Sequence, residues 1–92
     1  MTMQTDILAS SLAVSGTAVA GRTRVRGALI APGGSAGSVV FKDGGASGTT
    51  IMTINTSANG ETFSVVIPAN GILFQTDVYV ALSNAQITVF YG

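Results

Sequence analysis

The chain has 92 residues, 12 of them glycine, with no cysteine and no histidine. Only 9% are charged, the formal net charge is zero and the mean hydropathy is +0.54, against about 25% charged in an ordinary soluble domain. These figures exclude disulfide staples, His- or Cys-based metal sites, His-based acid–base chemistry and Cys nucleophiles, and four basic residues leave no electrostatic footprint for nucleic acid.

In chain order, Met1 to Asp6 carries no Lys or Arg, so the basic start of a secretory signal is missing, and the expectation is synthesis in a cytoplasm without secretion. No run reaches the ~18 apolar residues of a spanning helix, which argues against a membrane partner. Asp6 to Ala13 alternates Ile7, Ala9 and Ser11 with Leu8, Ser10 and Leu12, as an eighth strand would, although its Leu and Ala also suit a helix. Residues 1–21 are rich in Ser, Ala, Thr and Gly and hold no aromatic side chain, so they read as an N-terminal arm or edge strand, distinct from a domain spanning 22–92.

From Arg22 the period is two. Arg22 to Ile30 sets Arg22, Arg24 and Arg26 on one face and Val25, Gly27 and Leu29 on the other. Ser38 to Lys42, Thr50 to Asn55, Thr62 to Pro68, Gly71 to Phe74, Asp77 to Leu82 and Gln86 to Tyr91 follow, with Val39 and Phe41, Phe63 with Val65 and Ile67, and Val78 with Val80 and Leu82 each sharing one face of their strand. Turn chemistry separates them at Pro32-Gly33-Gly34, Asp43-Gly44-Gly45, Asn59-Gly60, Pro68-Ala69-Asn70-Gly71 and Ser83-Asn84. The expected fold is all-β: a single antiparallel β-sandwich or jelly roll of about seven to eight short strands with an extended N-terminal arm.

Little chemistry remains. Asp6, Asp43, Glu61 and Asp77 each sit at a turn or strand end, and a chain of such short loops has little material for a cleft around paired carboxylates. Gly44 to Thr49 lacks the Lys of a phosphate loop, and Asp43-Gly44-Gly45 lacks the alternating ligands of a calcium loop. No catalytic, metal or cofactor site is expected, no cofactor and no small-molecule substrate. A chain this short buries only about 60–70% of the surface its unfolded form exposes, and with staples absent the remaining support is association. The candidate interface residues are Ile7, Leu8, Leu12 and Val14 in the arm and Arg22, Arg24 and Arg26, whose row reads either as a solvated face or as a polar contact row. Phe74, Tyr79, Phe90 and Tyr91 read as core or interface aromatics.

The succession TDILA at 5–9, GRTRVRGALI at 21–30, GSVVFKDGGASGTTIMTI at 37–54, IPANGILFQTDVYVAL at 67–82 and ITVFYG at 87–92 resembles a group of small virion-associated proteins of tailed bacteriophages, many of marine and cyanobacterial hosts. The resemblance spans most of the chain but is carried by turn and strand residues. It implies a virion location and a non-enzymatic structural role, as a capsid decoration or cement protein that binds itself, a trimer by analogy, and the major capsid protein. The alternative it leaves open is a receptor- or glycan-binding module of a fibre, knob or tail, or another tail or neck component.

Overall fold

A computed structural model of the chain describes residues 8–67 and 71–92. Ile7, Asp6 and the Pro68-Ala69-Asn70 part of the fourth turn lie outside the described residues. Among these residues there are nine strands: β1 (Leu8–Leu12), β2 (Gly16–Ala20), β3 (Thr23–Pro32), β4 (Gly37–Asp43), β5 (Thr49–Thr56), β6 (Phe63–Val66), β7 (Ile72–Phe74), β8 (Asp77–Ser83) and β9 (Ala85–Tyr91). No helix occurs among the described residues. Where the sequence left a helix open over Asp6 to Ala13, Leu8–Leu12 is a strand. The count exceeds the seven to eight expected because Gly16-Thr17-Ala18-Val19-Ala20 also forms one, a segment whose small side chains gave too weak an alternation to read.

All pairings are antiparallel, in two sheets: β1-β9-β3-β6, with β7 also on β3, and β2-β8-β4-β5. β3 is the spine of the first. Along one side it pairs with β9, and along the other with β7 at Thr23–Val25 and β6 at Gly27–Ile30. The chain changes sheet at every connection except β4–β5 and β6–β7. Most of the turns read from sequence therefore carry the chain between sheets, and only Gly44 to Gly48 closes a hairpin. Asn84 is the sole residue between β8 and β9, too short a link for a two-residue hairpin, and its φ of 51° lies in the left-handed region that Asn tolerates.

One core joins the inward rows of both sheets: Val25, Ala28 and Ile30 from β3, Ile87 and Val89 from β9, Val39 and Phe41 from β4, and Val78 and Val80 from β8, with Phe74 of β7. Phe41 and Phe74 are fully buried, their ring centroids 6.3 Å apart and tilted by 50°, within the range of favourable aromatic pairs. Burying each such side chain stabilises the fold by about 1.5–3 kcal/mol.

Three bulges shift the alternation. In β3 the pairing moves from Val25 opposite Tyr91 to Gly27 opposite Phe90, so Arg26 is the extra residue. Beyond it the inward phase changes: Ala28 and Ile30 are buried, whereas Leu29, expected on the face of Val25, is 40% exposed. A bulge inserts one residue and reverses the sidedness of everything after it. Ala18 in β2 and Ile51 in β5 are extra residues of the same kind.

Candidate functional site

The strand directions give the molecule two ends. At one lie the starts of β1, β3, β5 and β8 and the finishes of β2, β4, β7 and β9; at the other lie Ala13 to Ser15, Gly33 to Ala36, Ser57 to Thr62 and Asn84. Arg22, Arg24, Arg26, Lys42, Asp43 and Asp77 belong to the first end, and Glu61 to the second.

The charged end is held by two carboxylates that each bind the other's loop. The Asp43 carboxylate, at the finish of β4, accepts from the Gln75 N–H on Oδ2 and from the Thr76 N–H on Oδ1, both at 2.9 Å, with the Asp77 N–H at 3.4 Å. Asp77 Oδ1, at the start of β8, accepts from the Gly44 and Gly45 N–H groups, both at 3.0 Å. Two successive N–H groups converge on one oxygen because Gly44 and Gly45 sit at φ 107° and 83°, which side chains rarely adopt. The Gln75 and Thr76 N–H groups, with a smaller contribution from Asp77, hold the Asp43 carboxyl below the usual carboxylate range. Beside this clamp the Lys42 ammonium donates to the Ala46 carbonyl at 3.0 Å. Both carboxylates are occupied by backbone donors, and their geometry is that of a structural clasp.

The expected interface residues do not form one patch. Ile7 lies outside the described residues. Leu8, 54% exposed, sits opposite Tyr91 on the edge strand β1 at the charged end. Val14, 73% exposed, is in the β1–β2 connection at the opposite end. Leu12 is half-buried against the core opposite Ile87, so it is largely spent on the fold. The arginine row is also altered. Arg22 lies in the bend before β3, not in the strand, and Arg24 and Arg26 are separated by the approach to the bulge. Arg26 donates from Nε and Nη2 to the Gly92 carbonyl at 3.4 and 3.3 Å, and the Gly92 N–H donates to the Arg24 carbonyl at 3.1 Å. Of the four aromatics, Phe74 is core, while Tyr79, Phe90 and Tyr91 are half-buried.

Concavities among the described residues include two near the second end. An open groove of about 790 Å³ at the second end is lined by Val14, Ser15, Pro32, Leu82, Asn84 and Gln86 among others, and a smaller one of about 330 Å³ lies between Ser11, Leu29, Thr62, Gln86 and Thr88. Neither lining holds a titratable side chain.

The distribution of charge across the sheets was not foreseen. Among the described residues, every charged residue within a strand is on an interior one: Arg24 and Arg26 on β3, Lys42 and Asp43 on β4, Asp77 on β8. The strands on the margins, β1, β2, β5, β6 and β7, hold none. Proteins that must stay apart do the reverse and place charge on sheet edges. The strand sequences alone carried this signal, but it needed the strand order to be seen. Comparison with known protein families, curated proteins and solved structures returned no match.

Proposed function

We propose that the chain is a non-enzymatic assembly protein, and that its setting is the virion of a tailed phage, where it oligomerises, binds the major capsid protein and stiffens the head as a decoration or cement protein. The observation that carries the assembly reading is the charge-free set of sheet margins, on a small domain without disulfide staples. The virion setting rests on the sequence resemblance alone. The linings of the two grooves carry Ser and Thr hydroxyls but no titratable side chain to activate them.

In this reading the two sheets stack as a β-sandwich of jelly-roll order. Taking β6 and β7 as one interrupted strand along β3 leaves eight, and the sheets then run first-eighth-third-sixth and second-seventh-fourth-fifth. That order is two interlocked Greek keys, an architecture shared by capsid and lectin domains. Residues 1–21 would act as the arm, with β1 and β2 its seat on the two sheets. A receptor- or glycan-binding module is the second reading, favoured by the groove that brings Ser15, Asn84 and Gln86 together; no aromatic side chain lines that groove for a sugar to stack on.

Counting copies per purified virion tests the proposal. Hundreds of copies spread over the head are expected. A few copies confined to the tail would refute decoration, and binding of the isolated domain to host surface glycans would favour the second reading.

A further inference from the structure

We infer that β5 is the strand through which two copies of this chain pair, edge to edge and antiparallel, about a two-fold axis at Thr53. The inference rests on the reading that the chain assembles with itself, and is independent of the virion setting.

The sheet margins are not equivalent. β1 has five residues, β2 has five and is bulged at Ala18, and the margin formed by β6 and β7 is interrupted between Val66 and Ile72. Shortness, bulging and interruption are the devices that keep an edge from recruiting another strand. β5 is the longest marginal strand, eight residues, and among the described residues it pairs only with β4. Its bulge at Ile51 lies toward one end and leaves Met52 to Thr56 in regular register with Phe41 to Gly37. On the free side of that stretch, alternate N–H and C=O groups face outward, and main-chain groups of this kind are satisfied by another extended strand.

The composition of β5 suits a strand and gives nothing that repels one. Thr49, Thr50, Ile51, Thr53, Ile54 and Thr56 are β-branched, and the strand contains no charge and no proline. Thr53 and Asn55 are exposed and alternate with the partly buried Met52 and Ile54, which pack on the core.

The occupant is a second copy because β5 complements itself. With Thr53 opposite Thr53 of the second copy, antiparallel pairing places Met52 opposite Ile54 and Ile54 opposite Met52 on the core side, so the inner apolar row continues across the junction. A residue-centred axis also keeps inner face beside inner face, so two four-stranded sheets become one of eight strands. No charged residue meets its own copy on this strand, and zero net charge leaves no long-range repulsion between copies. The isologous contact closes on itself and produces a dimer rather than a fibre.

The test uses the full chain in solution. Wild-type protein should show a concentration-dependent dimer by analytical ultracentrifugation. Thr53→Lys should weaken it by roughly tenfold or more, because two ammonium groups then face each other at the axis. Thr53→Glu should do the same, and an equimolar mixture of the two variants should restore the dimer, which also shows that each is folded. In this cysteine-free chain Thr53→Cys should oxidise to a covalent dimer, since directly opposed residues lie within disulfide reach. Thr17→Lys, the same change on the exposed margin of β2, should leave the dimer intact. A wild-type chain that stays monomeric overturns the inference without touching the copy count on virions. An oligomer unmoved by Thr53→Lys, or a mixture that fails to restore the dimer, overturns the β5 contact while leaving self-assembly standing.

Discussion

Both ends of the molecule carry the chain from one sheet to the other, and the first also closes the β4–β5 hairpin, but different chemistry fastens them. At the charged end Asp43 and Asp77 reach across and bind each other's loops through five backbone N–H contacts. At the opposite end the crossings are held by neutral groups: the Gly33 N–H donates to the Asn84 carbonyl at 2.7 Å, the Asn59 N–H to the Gly33 carbonyl at 2.8 Å, and the Leu82 N–H to Ser15 Oγ at 2.7 Å. A carboxylate clasp responds to pH, whereas a clasp of neutral groups depends on shape. The two ends should therefore fail under different insults.

The largest expected effect sets the scale and belongs to neither end. Phe41→Ala removes a fully buried ring from the core and should cost about 3–5 kcal/mol, read as a lowered denaturant midpoint. Gly37→Ala breaks the opposite end by shape. A β-carbon on Gly37 would overlap the Ser83 carbonyl of the neighbouring strand, and forcing the two apart should cost about 1–3 kcal/mol at every pH.

Asp43→Ala breaks the charged end by charge and should lower Tm at neutral pH. The Asp43 carboxyl is held below its usual range in the folded chain, so its contribution is fully present above the unfolded value of about 3.9 and is lost as pH falls through the lower folded value. Thermal melts of wild type and Asp43→Ala should therefore converge on acidification, while wild type and Gly37→Ala should stay apart. The smallest effect is at Asn84. Replacement by Ala at its positive φ should cost about 1–2 kcal/mol, and replacement by Gly should be nearly neutral; equal losses for both would mean that the Asn84 side chain, whose Nδ2 donates to the Ala36 carbonyl at 3.4 Å, matters more than its backbone.

Much of the fold was legible because inward rows such as Val39 with Phe41, Val78 with Val80 and Ile87 with Val89 follow the period of two without interruption. Leu29 was misplaced because nothing local announces that Arg26 is a bulge: an inserted residue is defined by the strand opposite. β2 was missed because its side chains are too small for burial to show as a pattern. Turn chemistry located the connections but not their destinations, since Gly and Asn supply positive φ to a hairpin and to a crossing between sheets alike. The candidate site was the least legible part. Arg22, Arg24 and Arg26 stood out by proximity in sequence, whereas the feature that distinguishes the molecule is where charge is missing, and that depends on which strands are marginal.

The pairing of β1 with β9 brings Leu8 opposite Tyr91, 83 positions along the chain. β1 has no partner within its sheet until β9 has been synthesised, and β9 must insert between β1 and β3. Closing so long a loop carries its entropy cost before the contact returns anything, and topologies dominated by such distant pairings fold in milliseconds to seconds rather than microseconds. Folding of this domain should thus follow synthesis rather than accompany it, and each nascent copy passes through an interval in which its uncharged strands are open to the wrong neighbour.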